Sequence, residues 1–385
     1  MPDKPLLSLT CILKNESSNV AAILESCRGI VDHYTILDTG STDGTQAIIR
    51  NSNIPGIVYE EPFVGFATTR NRVLDLEAAR PDAAEFCLML SGDEVLKDAE
   101  GLRDFLSKAE KDGYGVKLLF DEFTALHTTR ITRTGSPWKY ESDLPSELHE
   151  IPVSPNCKSW CDGVVPKLWI KHDIHDANRR NQTIYERELP LLEEAIAENP
   201  NNAHILLFLA QAHENVAPFF DPGTCLTHQM MAMSMYLRRI NIGGGVEDEL
   251  NWVRMRFLDI AKSIPNLFTP EESLNKFNEL CEIDPNRPET HLLRAICSYK
   301  VLPAVKVLDY ALAAARVAAA STGVQTSFPI NVSCEWRAWG LAASCARQLS
   351  RHDATFKEKL AEYIANGLAA GGPKQAFDEF SKPLA

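Results

Sequence analysis

The sequence has no apolar run long enough to cross a membrane and no surplus of basic residues. A bilayer core takes about 20 consecutive apolar residues, and the nearest approach, YALAAARVAAA, is broken by Arg316. Lys and Arg number 39 against 52 Asp and Glu, a net charge of −13. Neutralising a phosphate backbone takes clustered cations, so no broad nucleic-acid surface is expected, although a local basic pocket is compatible with this balance. The ten cysteines form no ligand pattern, since Cys157 and Cys161 in CKSWC have no second pair and a structural zinc takes four ligands. Scattered along the chain, they read as reduced thiols of a cytoplasmic protein. MPDKPLLSLTC reaches the charged Lys14 and Glu16 too soon for a signal peptide. There is no GxxxxGK[ST] loop, which disfavours a P-loop nucleotide hydrolase.

What is present is ordinary globular material, 45% apolar and 24% charged in 385 residues, enough for two or three domains. In the first half strand-like and helix-like segments alternate. LLSLTCIL, HYTILD, IVYEEP, EFCLML and YGVKLLFDEF read as strands. NESSNVAAILESCRGI, TQAIIRNS, ATTRNRVLDLEAA and LRDFLSKAEK read as helices. This rhythm predicts a mostly parallel sheet with helices on its faces, whose ligands sit beyond the carboxyl ends of the strands. After about residue 180 every segment is helical in period. ENPNNAHILLFLAQAH and EIDPNRPETHLLRAICSY resemble each other: a helix end, a Pro-Asn turn, then an amphipathic helix. That pattern is similar to tetratricopeptide repeats, with PFFDPGTCLTH as an irregular insert. The expected organisation is an α/β domain over 1–180 and an all-α, tetratricopeptide-like domain over 181–385.

Four strand ends in the first half carry polar residues: Lys14-Asn15-Glu16, Asp38, Arg70-Asn71 after the third strand, and Ser91, Asp93 and Glu94 after the fourth. Each has a plain explanation. Asn15 and Glu16 open a helix, Asp38 braces the TGSTDG turn, and Arg70 is a solvated helix charge. Ser91 and Glu94 fit a capping box. Only Asp93 is left over. Their joint placement on one edge of a parallel sheet is what asks for a common role.

LSLTCILKNES, ILDTGSTDGT, FATTRNRVLDL and LMLSGDEVL, in that order, resemble family-2 glycosyltransferases of the GT-A fold, and more narrowly those with tetratricopeptide helices behind the catalytic domain. The likeness spans about residues 6–215. It implies a hexosyltransferase-like enzyme that uses a nucleotide sugar, UDP-linked, with Mn²⁺ or Mg²⁺, and acts on a protein or glycan acceptor with inversion. Asp93 is then the metal carboxylate and His172 the second ligand. Ile12 and Leu13 line the base pocket, Glu16 and Asp38 contact base and ribose, and Arg70, Asn71 and Ser91 belong to the donor site. Glu150, in the His149-Glu150 motif, is the base, with Glu147 and Asp143 as neighbours, and Arg179 and Arg180 grip phosphate. One position departs from the pattern: Ser91 stands where the family's strand exit usually carries Asp, and Glu94 is the residue that could compensate. The alternative is an inactive GT-A domain kept as a binding platform. For the helical half, Trp252, Phe257, Trp336 and Trp339 are either anchors for self-association or a protein acceptor, or the core of the array.

Overall fold

The computed structural model describes residues 4–119, 124–157, 161–172, 182–245, 247–321, 330–331 and 333–380. The chain divides into two compact units, Met1–Asp121 with Ala125–Ala177, and Asn178–Ala385 with Glu122–Thr124.

In the first unit, β1 (Leu7–Leu13), β2 (His33–Asp38), β3 (Gly56–Glu60) and β4 (Phe86–Leu90) are mutually parallel, in the order β3-β2-β1-β4. β2 and β4 are buried at every position and β1 at nearly every one, as continuous apolar runs require when helices cover both faces. Leu7, Leu9, Cys11 and Leu13 pack with α1 (Val20–Cys27), α2 (Thr45–Arg50) and α4 (Leu102–Leu106). Val20, Ile23, Leu24 and Cys27 form the buried stripe of α1. Full burial of such side chains is worth roughly 1.5–3 kcal/mol each. The alternate face of β1 meets α3 (Phe66–Ala78), which buries Thr69, Arg70 and Glu77 beside its apolar residues.

Beyond β4 the sheet is not parallel. β5 (Glu94–Lys97), β6 (Gly113–Leu119), β7 (Thr124–Arg133) and β10 (Gly163–His172) extend it as β4-β7-β6-β10-β5, with β7 antiparallel to both neighbours and β5 antiparallel to β10. The short strands β8 (Lys139–Glu141) and β9 (Ile151–Val153) form a separate antiparallel pair. The sheet is therefore mixed. Of this half the rhythm of the sequence gives β6, read from YGVKLLFDEF, and the GT-A resemblance implies the mixed sheet; β5, only four residues long and reached from β4 through a tight turn, is not read.

The second unit is helical. Its described helices include Leu189–Glu198, Ala203–Val216, Pro222–Ile242, Glu247–Ala261, Pro270–Ile283, Pro288–Ser298, Ala304–Ser321, Cys334–Leu349 and Thr355–Ala369. Successive helices pack on one another. The supposed irregular insert is largely helical: Asp221 accepts from the Gly223 and Thr224 amides and caps the helix that starts at Pro222. Of the four aromatics, Trp252 is buried edge-on to Tyr236, Phe257 packs against the same cluster, and Trp339 stacks on Tyr363. Trp252 is thus a core residue, and Phe257 and Trp339 are partly buried against the core. Among the described residues no helix is long and apolar enough to cross a membrane, and the cysteines are free.

Candidate functional site

The carboxyl ends of β1, β2 and β4 meet on one edge, and their loops are sewn together. The side chains of Ser41, Thr45 and Asp43, all from TGSTDGT, accept from the Asn15, Glu16 and Ser17 amides at 2.8, 2.8 and 2.9 Å. Asn15, in the left-handed region at φ 57°, accepts in turn from the Thr42 amide. The motif is thus a scaffold for the loop after β1: these bonds fix the backbone from Asn15 to Ser17 against Ser41–Thr45.

Asp38 ends β2 fully buried. Its Oδ1 accepts from the Gly40 and Ser41 amides and from Gln46 Nε2 at 2.8–3.0 Å. Burial works against its charge, but these bonds, led by Ser41, hold the carboxyl below its usual range. Its Oδ2 is buried with no hydrogen-bond partner. So Asp38 does brace the turn, and half of its carboxylate is not used in doing so. Leu13 points into the core, and its carbonyl accepts from the Thr39 amide and hydroxyl. Ile12 is partly buried against the α3 face.

The loop after β4 lies against the loop after β1. A Cβ on Gly92 would come within 2.6 Å of the Glu16 carboxylate, so glycine permits this approach. Glu16 Oε2 also accepts from Asn19 at 2.8 Å. LMLSGDEVL does not open a helix: Glu94 starts β5. Half of the expected box survives, because Glu94 Oε2 accepts from the Ser91 amide at 2.8 Å. The Ser91 hydroxyl does something else and accepts from Arg70 Nη2 at 3.0 Å. Glu94 is 2% exposed, and its Oε1 pairs with Arg130 of β7 at 2.7 Å. Both of its oxygens are committed, so it does not stand in for a missing carboxylate at a metal. Asp93, between them, is partly exposed.

Arg70 is the centre of the arrangement. It is 5% exposed, one turn into α3, with Nε 2.7 Å from Glu150 Oε1 and its guanidinium over the Tyr140 ring at 5.3 Å. Arg70 Nε is ion-paired with Glu150, while its Nη1 is buried with no hydrogen-bond partner. Burial opposes its charge, and Glu150, then Tyr140 and Glu94, more than offset this, so its pKa lies above the ordinary value. Asn71 does not face this cluster directly: its amide donates to the Tyr140 carbonyl at 2.8 Å and accepts from the Tyr140 amide at 2.7 Å, pinning β8 under Arg70. Tyr140 and Arg130 carry no signal in the sequence; one lies in a three-residue strand, the other in the polar run TALHTTRITR. His172 closes β10 in register with Glu94; its side chain, that of Glu147, and Arg179 and Arg180 lie outside the described residues.

No family model matches the chain, and no curated protein matches it. Among solved structures, MamA aligns with 52% of the chain and 95% of its own length, at 9% identity and a TM-score of 0.36. YrrB, described as a TPR protein with an unusual peptide-binding site, aligns with 46% of the chain and 91% of its own, at 12% identity and 0.28. A thermophilic TPR protein of Thermus thermophilus aligns with 50% and 98%, at 14% identity and 0.19. At these identities and scores the likeness assigns no activity to the chain.

Proposed function

We propose that the α/β unit is a GT-A glycosyltransferase that moves a sugar from a UDP-sugar to a protein or glycan acceptor with inversion. One observation carries the reading. On the edge where β1, β2 and β4 end, two buried atoms of opposite kind lack hydrogen-bond partners: an acceptor, Asp38 Oδ2, and a donor, Arg70 Nη1, whose neighbours Nε and Nη2 are taken by Glu150 and Ser91. A buried polar atom left unpaired costs about 1–3 kcal/mol. A nucleoside diphosphate satisfies both, with N–H or O–H donors on its base and ribose and anionic oxygens on its phosphates. Guanidinium is well suited to the latter.

Mn²⁺ or Mg²⁺, when bound with the donor, supplies Lewis-acid stabilisation of the departing diphosphate. Asp93, with His172, would hold it. A single carboxylate with an imidazole fits a cation carried largely by phosphate and water, and Asp93 is partly exposed in a tight turn. Among the described residues there is no group of three or more His, Cys, Asp or Glu around a common point. Arg70 orients the Glu150 carboxylate at the same edge as Ser91, where it would accept the acceptor's proton.

The test is a thermal-shift panel of nucleotide sugars with and without Mn²⁺. Ligands of the folded state raise the melting temperature according to affinity and concentration, so the donor should stand out, and Asp93→Asn should lose the Mn²⁺-dependent part. A flat panel would sink the reading. The platform alternative draws on Ser91, whose hydroxyl is taken by Arg70; Mn²⁺-dependent hydrolysis of the donor would exclude it. For the helical unit we propose self-association through the Pro222–Ile242 helix, which exposes Met230, Met231 and Leu237; a monomer in light scattering would remove that part.

A further inference from the structure

We infer that Arg130 is a positioning residue of this site: acting through Glu94, it fixes the turn between β4 and β5 that presents Asp93. Three contacts close the turn. The Glu94 amide donates to the Ser91 carbonyl at 3.2 Å, the Ser91 amide donates to Glu94 Oε2 at 2.8 Å, and Arg130 Nη2 holds Glu94 Oε1 at 2.7 Å. The first two bonds lie within the turn and travel with it. Of the three, only the last ties it to another element.

The anchor is well placed for that task. β4 and β7 pair from Phe86↔Arg133 to Leu88↔Ile131, and Arg130 is the next residue along β7. The ladder stops where its side chain reaches across to Glu94. On the other flank, Arg70 of α3 donates to the Ser91 hydroxyl at 3.0 Å. Residues 91 and 94 are therefore each gripped by a guanidinium, from different elements, and Asp93 lies between the two grips. Arg130 Nε, like Arg70 Nη1, is buried with no hydrogen-bond partner.

An ion pair is a poor choice if the task is stability. Desolvating both charges cancels most of their attraction, and apolar residues of similar volume often do as well. Its advantage is geometry: a guanidinium fixes a carboxylate in direction as well as distance. A carboxylate meant to meet a cation must be held to a fraction of an ångström, and Arg130 adds at the Glu94 side of the turn the fixed direction that Arg70 supplies at the Ser91 side. The latch itself stands on these contacts. Its consequence for a donor rests on the glycosyltransferase reading.

The experiment uses the full chain with Arg130→Met, Arg130→Lys and Glu94→Gln. Amide hydrogen exchange reads the latch directly. In Arg130→Met the Ser91 and Glu94 amides should exchange roughly tenfold faster, while β1 and β2 keep parental rates, and Arg130→Lys should recover part of the protection. Glu94→Gln keeps an acceptor for the Ser91 amide and removes only the charge, so it tests the pair should Arg130→Met fold poorly. Titration of UDP with Mn²⁺ reads the consequence, with affinity about tenfold weaker in Arg130→Met, equivalent to about 1.4 kcal/mol. Unchanged exchange at 91–94 overturns the inference. So does protection lost equally across the sheet, which would make Arg130 a general brace, or variants that bind UDP·Mn²⁺ like the parent. Local loss of protection in a protein that binds no UDP at all upholds the latch and fells the glycosyltransferase reading alone.

Discussion

Helix α3 carries two buried charged residues seven positions apart, Arg70 and Glu77, and they sit in opposite circumstances. At the Glu77 end, toward the start of the strands, everything is paired. Glu77 accepts from Ser8 Oγ, Thr35 Oγ1 and the Ala84 amide, and lies 2.9 Å from His33 Nε2. Burial raises its pKa, but these partners, led by His33, outweigh it, and the carboxyl lies below its ordinary value. At the Arg70 end, where the strands finish, the guanidinium Nη1 and a carboxylate oxygen of Asp38 are buried and lack hydrogen-bond partners. Both clusters cost desolvation. One is repaid within the protein and rigidifies it. The other keeps buried atoms without hydrogen-bond partners on the edge where sheets of this kind bind ligands.

The sharpest way to separate the two ends is to cut chemistry at one and folding at the other. Glu150→Gln is nearly isosteric and keeps an acceptor beside Arg70. If Glu150 is the base, it should lower transfer by roughly 10²–10⁴-fold with UDP affinity close to parental in calorimetric titration. A collapse of affinity would move Glu150 into the donor site. At the far end, Glu77→Ala strands several buried donors and should cost about 3–5 kcal/mol in denaturant unfolding, the range for breaking a buried pair. Arg70→Met should cost less stability, because its Nη1 is already without a hydrogen-bond partner and Glu150 is partly exposed, yet abolish donor binding. Equal losses of stability in the two variants would erase the distinction between the ends.

How much of this was legible follows the same divide. Apolar runs and the TGSTDG turn give β1, β2 and β4 and bring Glu16, Asp38 and Asp93 to one edge. Periodicity places Arg70 on α3. It does not say that Arg70 faces inward, because a buried arginine looks like a solvated one until its partners are known, and those partners come from β8 and the loop before β9. Asn71 reads as a ligand and proves to be a clamp on Tyr140, since an amide serves a backbone as readily as a substrate. Arg130 is invisible for a related reason: TALHTTRITR alternates like any half-exposed strand, and only the antiparallel pairing of β7 with β4 turns it toward Glu94.

The helical unit supplies a pH test that leaves the α/β unit alone. His213 and His228 face each other with Nδ1 atoms 3.0 Å apart, His228 stacks on Phe220, and Tyr185 lies edge-on to both Phe220 and His228. Glu193 lies 3.9 Å from His213 Nε2. Burial first, and His228 second, push His213 down from 6.5 to about 4. The unfolded chain therefore takes up a proton between these values that the folded chain refuses. Stability should be fully present above pH 6.5 and fall as pH drops toward 4, by about 3 kcal/mol at most. His213→Leu should flatten that limb in melting curves from about pH 7 to 4. A parent curve flat over this window would mean that burial does not lower the pKa of His213.

The smallest expected effect falls on Ser91, and it bears on the open end most directly. As a cap, Ser91 would lose about 1 kcal/mol on truncation to Ala and nothing else. The structure gives the hydroxyl a different partner, Arg70 Nη2, while the Ser91 amide keeps its bond to Glu94 whatever the side chain. Truncation therefore leaves the turn closed and removes an acceptor from a guanidinium already short of them. Stability should fall by about 1–2 kcal/mol, the range for a bond to a charged group. The side chain of Arg70 should also loosen, so that UDP affinity drops severalfold with and without Mn²⁺ alike. Ser91→Asp gives the converse: it supplies Arg70 with a carboxylate and should recover stability. Calorimetric titration beside melting curves separates the cases. A Ser91→Ala protein that is destabilised by about 1 kcal/mol but binds UDP like the parent would show that Arg70 does not need Ser91 to meet the ligand, and the link between the strand exit and the arginine would reduce to packing.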